Sequence, residues 1–156
     1  MIATGIQIEQ ADIVHAGELA DLRVASLLEM NLLRPSQAPA FRRTARIELI
    51  QAMREESCAG WIVREGPRAV GSACVMLFRR LPYPDSSLHA EIGGVYVAPE
   101  FRGRGYASEM VREAIAWAKA RRVRKISLHA SASGRAMYER LGFATGSEMR
   151  IDGFSV

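Results

Sequence analysis

Arginines and glycines alternate in the segment Arg102-Gly103-Arg104-Gly105, which joins a strand-like pattern to a helix-like one. The first turn of a helix exposes unpaired backbone N–H groups and the positive end of the helix dipole, and it therefore attracts anions. Glycine lets the backbone approach a bound anion without a Cβ in between, and arginine can pair with phosphate oxygens. The segment predicts a phosphate or pyrophosphate site rather than a flexible turn or a nucleic-acid patch.

Three phosphate-binding patterns can be compared with this segment. A P-loop requires G-x-x-x-x-G-K-[ST], and the chain contains no such string. A dinucleotide fingerprint, G-x-G-x-x-G/A, would start at Gly103, but Ser108 occupies its third position and the next strand pattern has no acidic residue for a ribose. The pattern R-x-x-G-x-A remains, formed by Arg102, Gly105 and Ala107.

The loop lies between two strongly patterned elements. The strand predicted at 88–97 contains Gly93 and Gly94, and paired glycines inside a strand indicate a bulge or a close backbone approach. The helix after the loop has an apolar stripe at helical spacing. The residues of this stripe are Ala107, Met110, Val111, Ala114, Ile115 and Ala118. Its basic end, "KARRVRK", suits a helix C-terminus, and no aromatic residues are interleaved there to stack on bases.

Alternation, helical spacing and turn residues predict the remaining elements. Strands are expected at 6–11, 60–66, 69–80 and 125–131, a final strand or hairpin at 143–151, and helices at 16–30, 39–55 and 134–141. We expect Ser133 to cap the last helix and Gly142 to end it. The order β-α-α-β-β-β-α-β-α-β indicates an α/β layered domain.

Composition limits the classes of protein to which the chain can belong. Its 156 residues, 49% of them hydrophobic, suit one globular domain spanning 1–156. It has no membrane-length apolar run and no signal-peptide pattern, so we expect a cytoplasmic protein without a membrane partner. Cys58 and Cys74 are expected to be buried and structural, and the histidines lack metal-ligand spacing, so no metal is expected. A net charge of +4 is compatible with an anionic small ligand.

Two segments resemble the GCN5-related N-acetyltransferase (GNAT) family. "AEIGGVYVAPEFRGRGYASEM" resembles the family's fourth strand and third helix, with Arg102-x-x-Gly105-x-Ala107 in place of its acetyl-CoA-binding motif Q/R-x-x-G-x-G/A. "ISLHASASGRAMYERLGF" resembles its fifth strand and fourth helix. The predicted element order is also the family's, so the resemblance covers nearly the whole chain. It implies an α/β fold with a mixed central sheet of about six to seven strands and helices on both faces.

The resemblance implies acetyl transfer from acetyl-CoA to a primary amine. The pyrophosphate would lie at residues 102–108, and the pantetheine arm would run beside a strand that splays from its neighbour. Ser131 stands where many members have a cofactor-binding asparagine, and a shorter serine can still bond the arm. The implied cofactor residues are Val95, Tyr96, Val97, Arg102, Gly103, Arg104, Gly105, Tyr106, Ala107, Ser108 and Ser131.

Two side chains are candidates for proton transfer. A lysine-like amine has a pKa of about 10.4, so deprotonating it at neutral pH costs about 4–5 kcal/mol, and a general base helps. The family's "AEI" context implies that Glu91 is this base. His89, two residues earlier on the same face, is the alternative, and a weakly basic acceptor needs no base. Tyr138, in "AMYERLGF", is at the position of the family's tyrosine that protonates the departing thiolate.

Other functions remain open at this stage. The chain could be a catalytically silent CoA-binding module that acts as a sensor or partner, or an enzyme that uses propionyl- or succinyl-CoA. The acceptor is expected to contact the first two helices and the loop "RRLPYPDSS", and it could be a small-molecule amine or a protein or peptide amine. No nucleic-acid partner is expected, and because family members often dimerise, a homodimer is compatible with the resemblance.

Overall fold

The computed structural model describes residues 6–153 of the chain. Its strands are β1 (Ile6–Ala11), β2 (Cys58–Glu65), β3 (Arg68–Arg79), β4 (Leu88–Val97) and β5 (Lys125–Leu128). Its α-helices are α1 (Ala16–Glu29), α2 (Ala38–Arg54), α3 (Tyr106–Ala120) and α4 (Arg135–Arg140). The predicted order is confirmed up to α4, with ends that differ by at most three residues. None of the helices in this part of the chain is both long and apolar enough to cross a membrane.

The strands form one mixed sheet in the order β1-β2-β3-β4-β5. The first four strands are antiparallel neighbours, and β5 joins β4 in parallel because α3 crosses over between them. A bulge interrupts the pairing of β3 with β4, since Ser72 pairs with Tyr96 but Cys74 pairs with Gly93. The extra residue lies on β4, where Gly94 has a φ of +61°. The bulge predicted from the paired glycines is therefore confirmed.

Helices cover both faces of the sheet. The stripe predicted for α3 is its buried face, and Met110, Val111 and Ala114 pack against the side of the sheet that carries Trp61 and Val63. Ile62, between those two residues, points to the opposite face and packs with Leu19 of α1 and with α2. Both cysteines are free, Cys58 buried and Cys74 partly buried.

The final strand predicted at 143–151 is absent from the described residues, which corrects the expected six to seven strands to five. Residues 144–153 lie on the surface without strand pairing, and Met149 and Ile151 are each 94% exposed. The segment from Thr145 to Glu148 is polar and includes a glycine, so it offers no apolar face that would hold it against β5.

The end of α4 follows the prediction and its beginning does not. Gly142 has a φ of +98°, its N–H bonds the Glu139 carbonyl, and the Phe143 N–H bonds the Tyr138 carbonyl, which together form a Schellman motif. At the other end, the hydroxyl that accepts from the Gly134 N–H belongs to Ser131, not Ser133. The predicted cap was wrong because the chain turns two residues earlier than the sequence suggests.

Candidate active site

The edge of β4 that faces β5 is paired over only part of its length. Parallel pairing runs from His89 with Lys125 to Ile92 with Leu128, where β5 ends. Beyond Ile92, β4 continues through the bulge to Val97 and pairs with β3 alone. The backbone groups on the β5 side of residues 93–97 therefore have no neighbouring strand within residues 6–153. Val95, Tyr96 and Val97, predicted to bind a cofactor arm, belong to this stretch.

The glycine-arginine loop ends at the first turn of α3. Gly103 and Gly105 have φ values of +74° and +85°, a left-handed conformation that favours glycine. A Cβ added to either residue would have no atom within 4 Å, so both face open space. Gly105 is the N-cap of α3 and provides no side-chain hydrogen bond to the first turn. The N–H groups of Tyr106, Ala107 and Ser108 are consequently free of a protein side-chain cap.

The two arginines of the loop have different surroundings. The Nε of Arg102 donates to the Val97 carbonyl at 2.7 Å, and its Nη2 donates to Glu29 of α1 at 2.7 Å. The Glu29 carboxylate raises the pKa of Arg102, and the guanidinium lies over the Tyr96 ring. Arg104 is exposed, and it donates to the backbone carbonyl of Glu100 at 3.1 Å. Arg102 therefore ties the loop to β4 and α1, whereas Arg104 has no carboxylate partner within residues 6–153.

Tyr106 and Ser131, two further residues predicted to contact a cofactor, differ in burial. Tyr106 is 3% exposed and packs in the core, so only its backbone N–H is available to a ligand. Ser131 accepts from the Gly134 N–H at 3.2 Å and lies 3.3 Å from the Ser133 hydroxyl. Ser131 thus serves the first turn before α4, and it is exposed. The Ser131 hydroxyl therefore already makes hydrogen bonds within the protein, which the sequence pattern did not indicate.

Glu91 and His89 face the same side of β4 but differ in exposure. The Glu91 side chain is 43% exposed, and its Oε1 lies 3.0 Å from Nε2 of His129. His89 is 3% exposed, its ring lies 5.9 Å from that of Phe78, and its Nε2 is buried without a hydrogen-bond partner. Burial lowers the pKa of His89, and the neighbouring cations Arg80, Lys125 and Arg124 act in the same direction. The buried ring is poorly placed to accept a proton from a ligand.

Tyr138 is held by the C-terminal turn of α4. The Phe143 ring packs edge-on against the Tyr138 ring at 6.0 Å, which is the apolar contact that accompanies a Schellman motif. Burial raises the pKa of the phenol, so Tyr138 keeps its proton at neutral pH. A Cβ on Gly134 would lie 3.1 Å from the Tyr138 ring and 3.2 Å from Ser131 Oγ. The two predicted residues Ser131 and Tyr138 thus meet around Gly134.

His129 is the residue that the sequence patterns did not single out for chemistry. The sequence was searched for metal-ligand spacing among its histidines, and His129 lies at no such spacing from the others. The available signal was strand periodicity, since His129 follows Ser127 by two residues and Ser127 pairs with Glu91. The register between the two strands could not be derived from the sequence, so the meeting of His129 with Glu91 was not predicted.

The chain resembles known proteins in both sequence and structure. The model of the acetyltransferase (GNAT) family matches residues 27–143. No curated protein matches the sequence. Similar solved structures include a GCN5-related N-acetyltransferase from Ralstonia eutropha JMP134, with 23% identity, a TM-score of 0.80, and coverage of 95% of this chain and 98% of that one. A predicted acetyltransferase with acetyl-CoA from Clostridium acetobutylicum has 22% identity, a TM-score of 0.82, and coverage of 94% and 96%.

A third similar structure is an aminoglycoside N-acetyltransferase in complex with CoA. It has 20% identity and a TM-score of 0.74, and the alignment covers 100% of both chains. At these identities the three structures establish a common fold. The family match covers most of the chain, and it therefore establishes family membership as well as the fold.

Proposed function

The chain belongs to the acetyltransferase (GNAT) family and is a transferase, and we propose that it moves an acetyl group from acetyl-CoA to a primary amine. One observation carries the proposal of this donor. The unpaired edge of β4 lies directly before the loop whose glycines open onto the uncapped first turn of α3. An extended strand edge beside an anion-binding helix end is complementary to a molecule with an amide-containing arm and a pyrophosphate.

We assign the two parts of the donor to these two features. The pyrophosphate would accept hydrogen bonds from the first-turn N–H groups of residues 106–108, approaching over Gly103 and Gly105. The exposed Arg104 would add charge, whereas Arg102 would act mainly by holding the loop through Glu29 and Val97. The pantetheine amides would pair with the backbone of Val95, Tyr96 and Val97, as an added strand pairs with a sheet edge. Ser131 would face the arm from the other side.

The reaction requires two proton movements. A neutral amine attacks the thioester carbonyl, a C–N bond forms, and the C–S bond then breaks to release the CoA thiolate. The attacking nitrogen must lose a proton, and we propose that the carboxylate of Glu91 serves this step. The thiolate must gain one, and we propose Tyr138 as its donor, because burial keeps the phenol protonated.

The class of the acceptor amine is suggested by the similar structures. Among similar structures, one is an aminoglycoside acetyltransferase and another is a glucosamine-6-phosphate N-acetyltransferase from Arabidopsis thaliana, with 19% identity and a TM-score of 0.72. These support a small-molecule amine, and a peptide amine remains the second candidate. We propose that the acceptor amine binds on the face of the sheet that carries Glu91. The partly exposed Met76, which pairs with Glu91 across the sheet, would lie next to it.

The test is a screen of primary amines with the purified full chain. Aminoglycosides, amino sugars, polyamines, amino acids, alkylamines and peptides are incubated with acetyl-CoA, CoA release is followed with a thiol reagent, and the product is identified by mass spectrometry. The proposal expects CoA release that depends on both the enzyme and one class of amine. Tight acetyl-CoA binding with no turnover on any amine would instead support the silent CoA-binding module.

A further inference from the structure

The contact between Glu91 and His129 joins two distant segments of the chain. Glu91 lies on β4, and His129 is the first residue after β5. Their facing atoms, Oε1 and Nε2, are 3.0 Å apart, within hydrogen-bond distance. Both side chains remain accessible, with 43% exposure for Glu91 and 65% for His129. The pair therefore stands at the surface of the sheet with one ring nitrogen, Nδ1, left over.

The pair stands at the mouth of the gap in the sheet. The last parallel pair is Ile92 with Leu128, so His129 comes immediately after the point where β5 ends. On β4, the residue after Ile92 is Gly93, which is exposed, and a Cβ placed there would meet no atom within 4 Å. Open space therefore adjoins β4 two residues after Glu91, where the unpaired edge begins.

The nitrogen chemistry of the pair is determined by this contact. Glu91 as a carboxylate can only accept, so a hydrogen bond across this 3.0 Å contact requires the hydrogen to be on Nε2 of His129. A neutral ring then has its lone pair on Nδ1. A carboxylate that fixes the tautomer of a histidine and stabilises its charged form is the arrangement that activates histidine bases in other enzymes. The buried His89 cannot substitute, since its Nε2 has no partner and no access.

We propose that His129, through Nδ1, accepts the proton of the attacking amine, and that Glu91 holds the ring and stabilises the imidazolium. The inference rests on the proposed acetyl transfer and changes the role of Glu91 within it. The amine N–H proton passes to Nδ1 directly or through one water as the C–N bond forms, and His129 later releases it to solvent. Histidine is better matched to this task at neutral pH than a carboxylate, because its ordinary pKa lies closer to the working pH.

The experiment compares acceptors that do and do not need a base. His129→Gln, His129→Ala, Glu91→Gln and the His129→Gln/Glu91→Gln double variant are assayed with ethylamine, which is protonated at neutral pH, and with 2,2,2-trifluoroethylamine, which is not. The best amine of the screen is included. The matched control is His15→Gln, since His15 also pairs with a carboxylate, Asp12 at 3.0 Å, but lies beside β1 at the other edge of the sheet.

General-base removal commonly costs about 10²–10⁴-fold. We expect His129→Gln to lower kcat/KM about 100-fold for the basic amines and less than about five-fold for trifluoroethylamine, with unchanged acetyl-CoA affinity. Added imidazole should restore activity to His129→Ala with the basic amines. Because the two residues act as a unit, the double variant should lose no more than His129→Gln alone. His15→Gln should match the wild type.

The outcomes separate this inference from the proposed function. If Glu91→Gln abolishes transfer while His129→Gln is near wild type, Glu91 is the base and the inference is overturned. If the His129 variants lose equal activity on both amines and imidazole restores none, His129 has a structural role only, which also overturns it. If the wild type releases no CoA with any amine, the proposed function fails, and the inference fails with it.

Discussion

The two halves of β4 contribute to the site in different ways. From Leu88 to Ile92 the strand has neighbours on both sides, and what it presents to the site is a side chain, Glu91, in contact with His129. From Gly93 to Val97 it has a neighbour only on the β3 side, contains a bulge, and presents its backbone. The boundary between the halves is the last residue of β5.

This difference extends to the elements on either side. The loop before α3 continues the backbone half, because Gly103 and Gly105 have positive φ and a Cβ added to either would meet no atom within 4 Å. Tyr138 and His129 belong to the side-chain half, where the proposed reaction would use particular atoms. A backbone site should tolerate the loss of side chains and fail when one is added, whereas a side-chain site should respond in the opposite way.

The largest expected effect comes from adding a charged side chain to the backbone half. Gly105→Glu places a carboxylate beside the first turn of α3, where the proposed pyrophosphate binds, and acetyl-CoA binding should fall below detection by calorimetry. Gly66→Glu is the control. Gly66 also has a positive φ, +54°, and a Cβ added there would meet no atom within 4 Å, but it lies in the turn between β2 and β3. Both variants carry backbone strain of about 1–2 kcal/mol, so circular dichroism should find both folded. Normal binding by Gly105→Glu would remove the loop from the cofactor site.

The next effect concerns the loss of one atom from the side-chain half. Tyr138→Phe keeps the ring that packs on Phe143 and removes the hydroxyl, so we expect kcat to fall by about ten-fold or more while acetyl-CoA affinity changes little. Steady-state kinetics with the best amine of the screen measures both. Ser147→Ala, in the exposed segment after α4, is the control for removing a hydroxyl. Unchanged turnover in Tyr138→Phe would refute its role as the proton donor.

A smaller effect is expected from the bulge itself. Gly94 has a φ of +61°, and its carbonyl accepts a hydrogen bond from Ser72 Oγ at 3.2 Å. Gly94→Ala should lower the free energy of unfolding by about 1 kcal/mol, because alanine disfavours this conformation. It should also weaken acetyl-CoA binding several-fold by shifting the unpaired edge. Gly66→Ala is the control, because it introduces the same kind of backbone strain away from the site. If both variants lose similar stability and only Gly94→Ala binds acetyl-CoA more weakly, the bulge has the proposed role. If both variants bind acetyl-CoA equally well, the bulge does not have this role.

Much of the framework was accessible from short stretches of sequence. The apolar stripe of α3 predicted its buried face, the glycine pair predicted the bulge, and Gly142 predicted the end of α4. Each of these signals arises within a few neighbouring residues, because helical period, strand alternation and positive φ are local properties of the backbone. The Gly-Arg loop before a helix, together with the segment that contains "MYERLGF", also indicated the family.

Two features of this framework depended on tertiary structure. Arg102 was predicted to bind a phosphate, which stays a prediction, and its guanidinium also donates to Glu29 of α1 and to the Val97 carbonyl. The segment after Phe143 was predicted as a strand but lies off the sheet. Glu29 is 73 residues from Arg102 along the chain, and whether a polar segment pairs depends on the strand edge beside it, so short patterns indicated neither outcome.

The sequence alone determined the order of the elements up to α4, the family and the loop that begins α3, since all three are encoded in local periodicity and contiguous motifs. The tertiary structure decided where β5 stops along β4, and therefore that His129 reaches Glu91. Strand register depends on the summed packing of the whole sheet rather than on any one segment. A shift of one residue would turn the side chains of β5 to the other face and separate the pair.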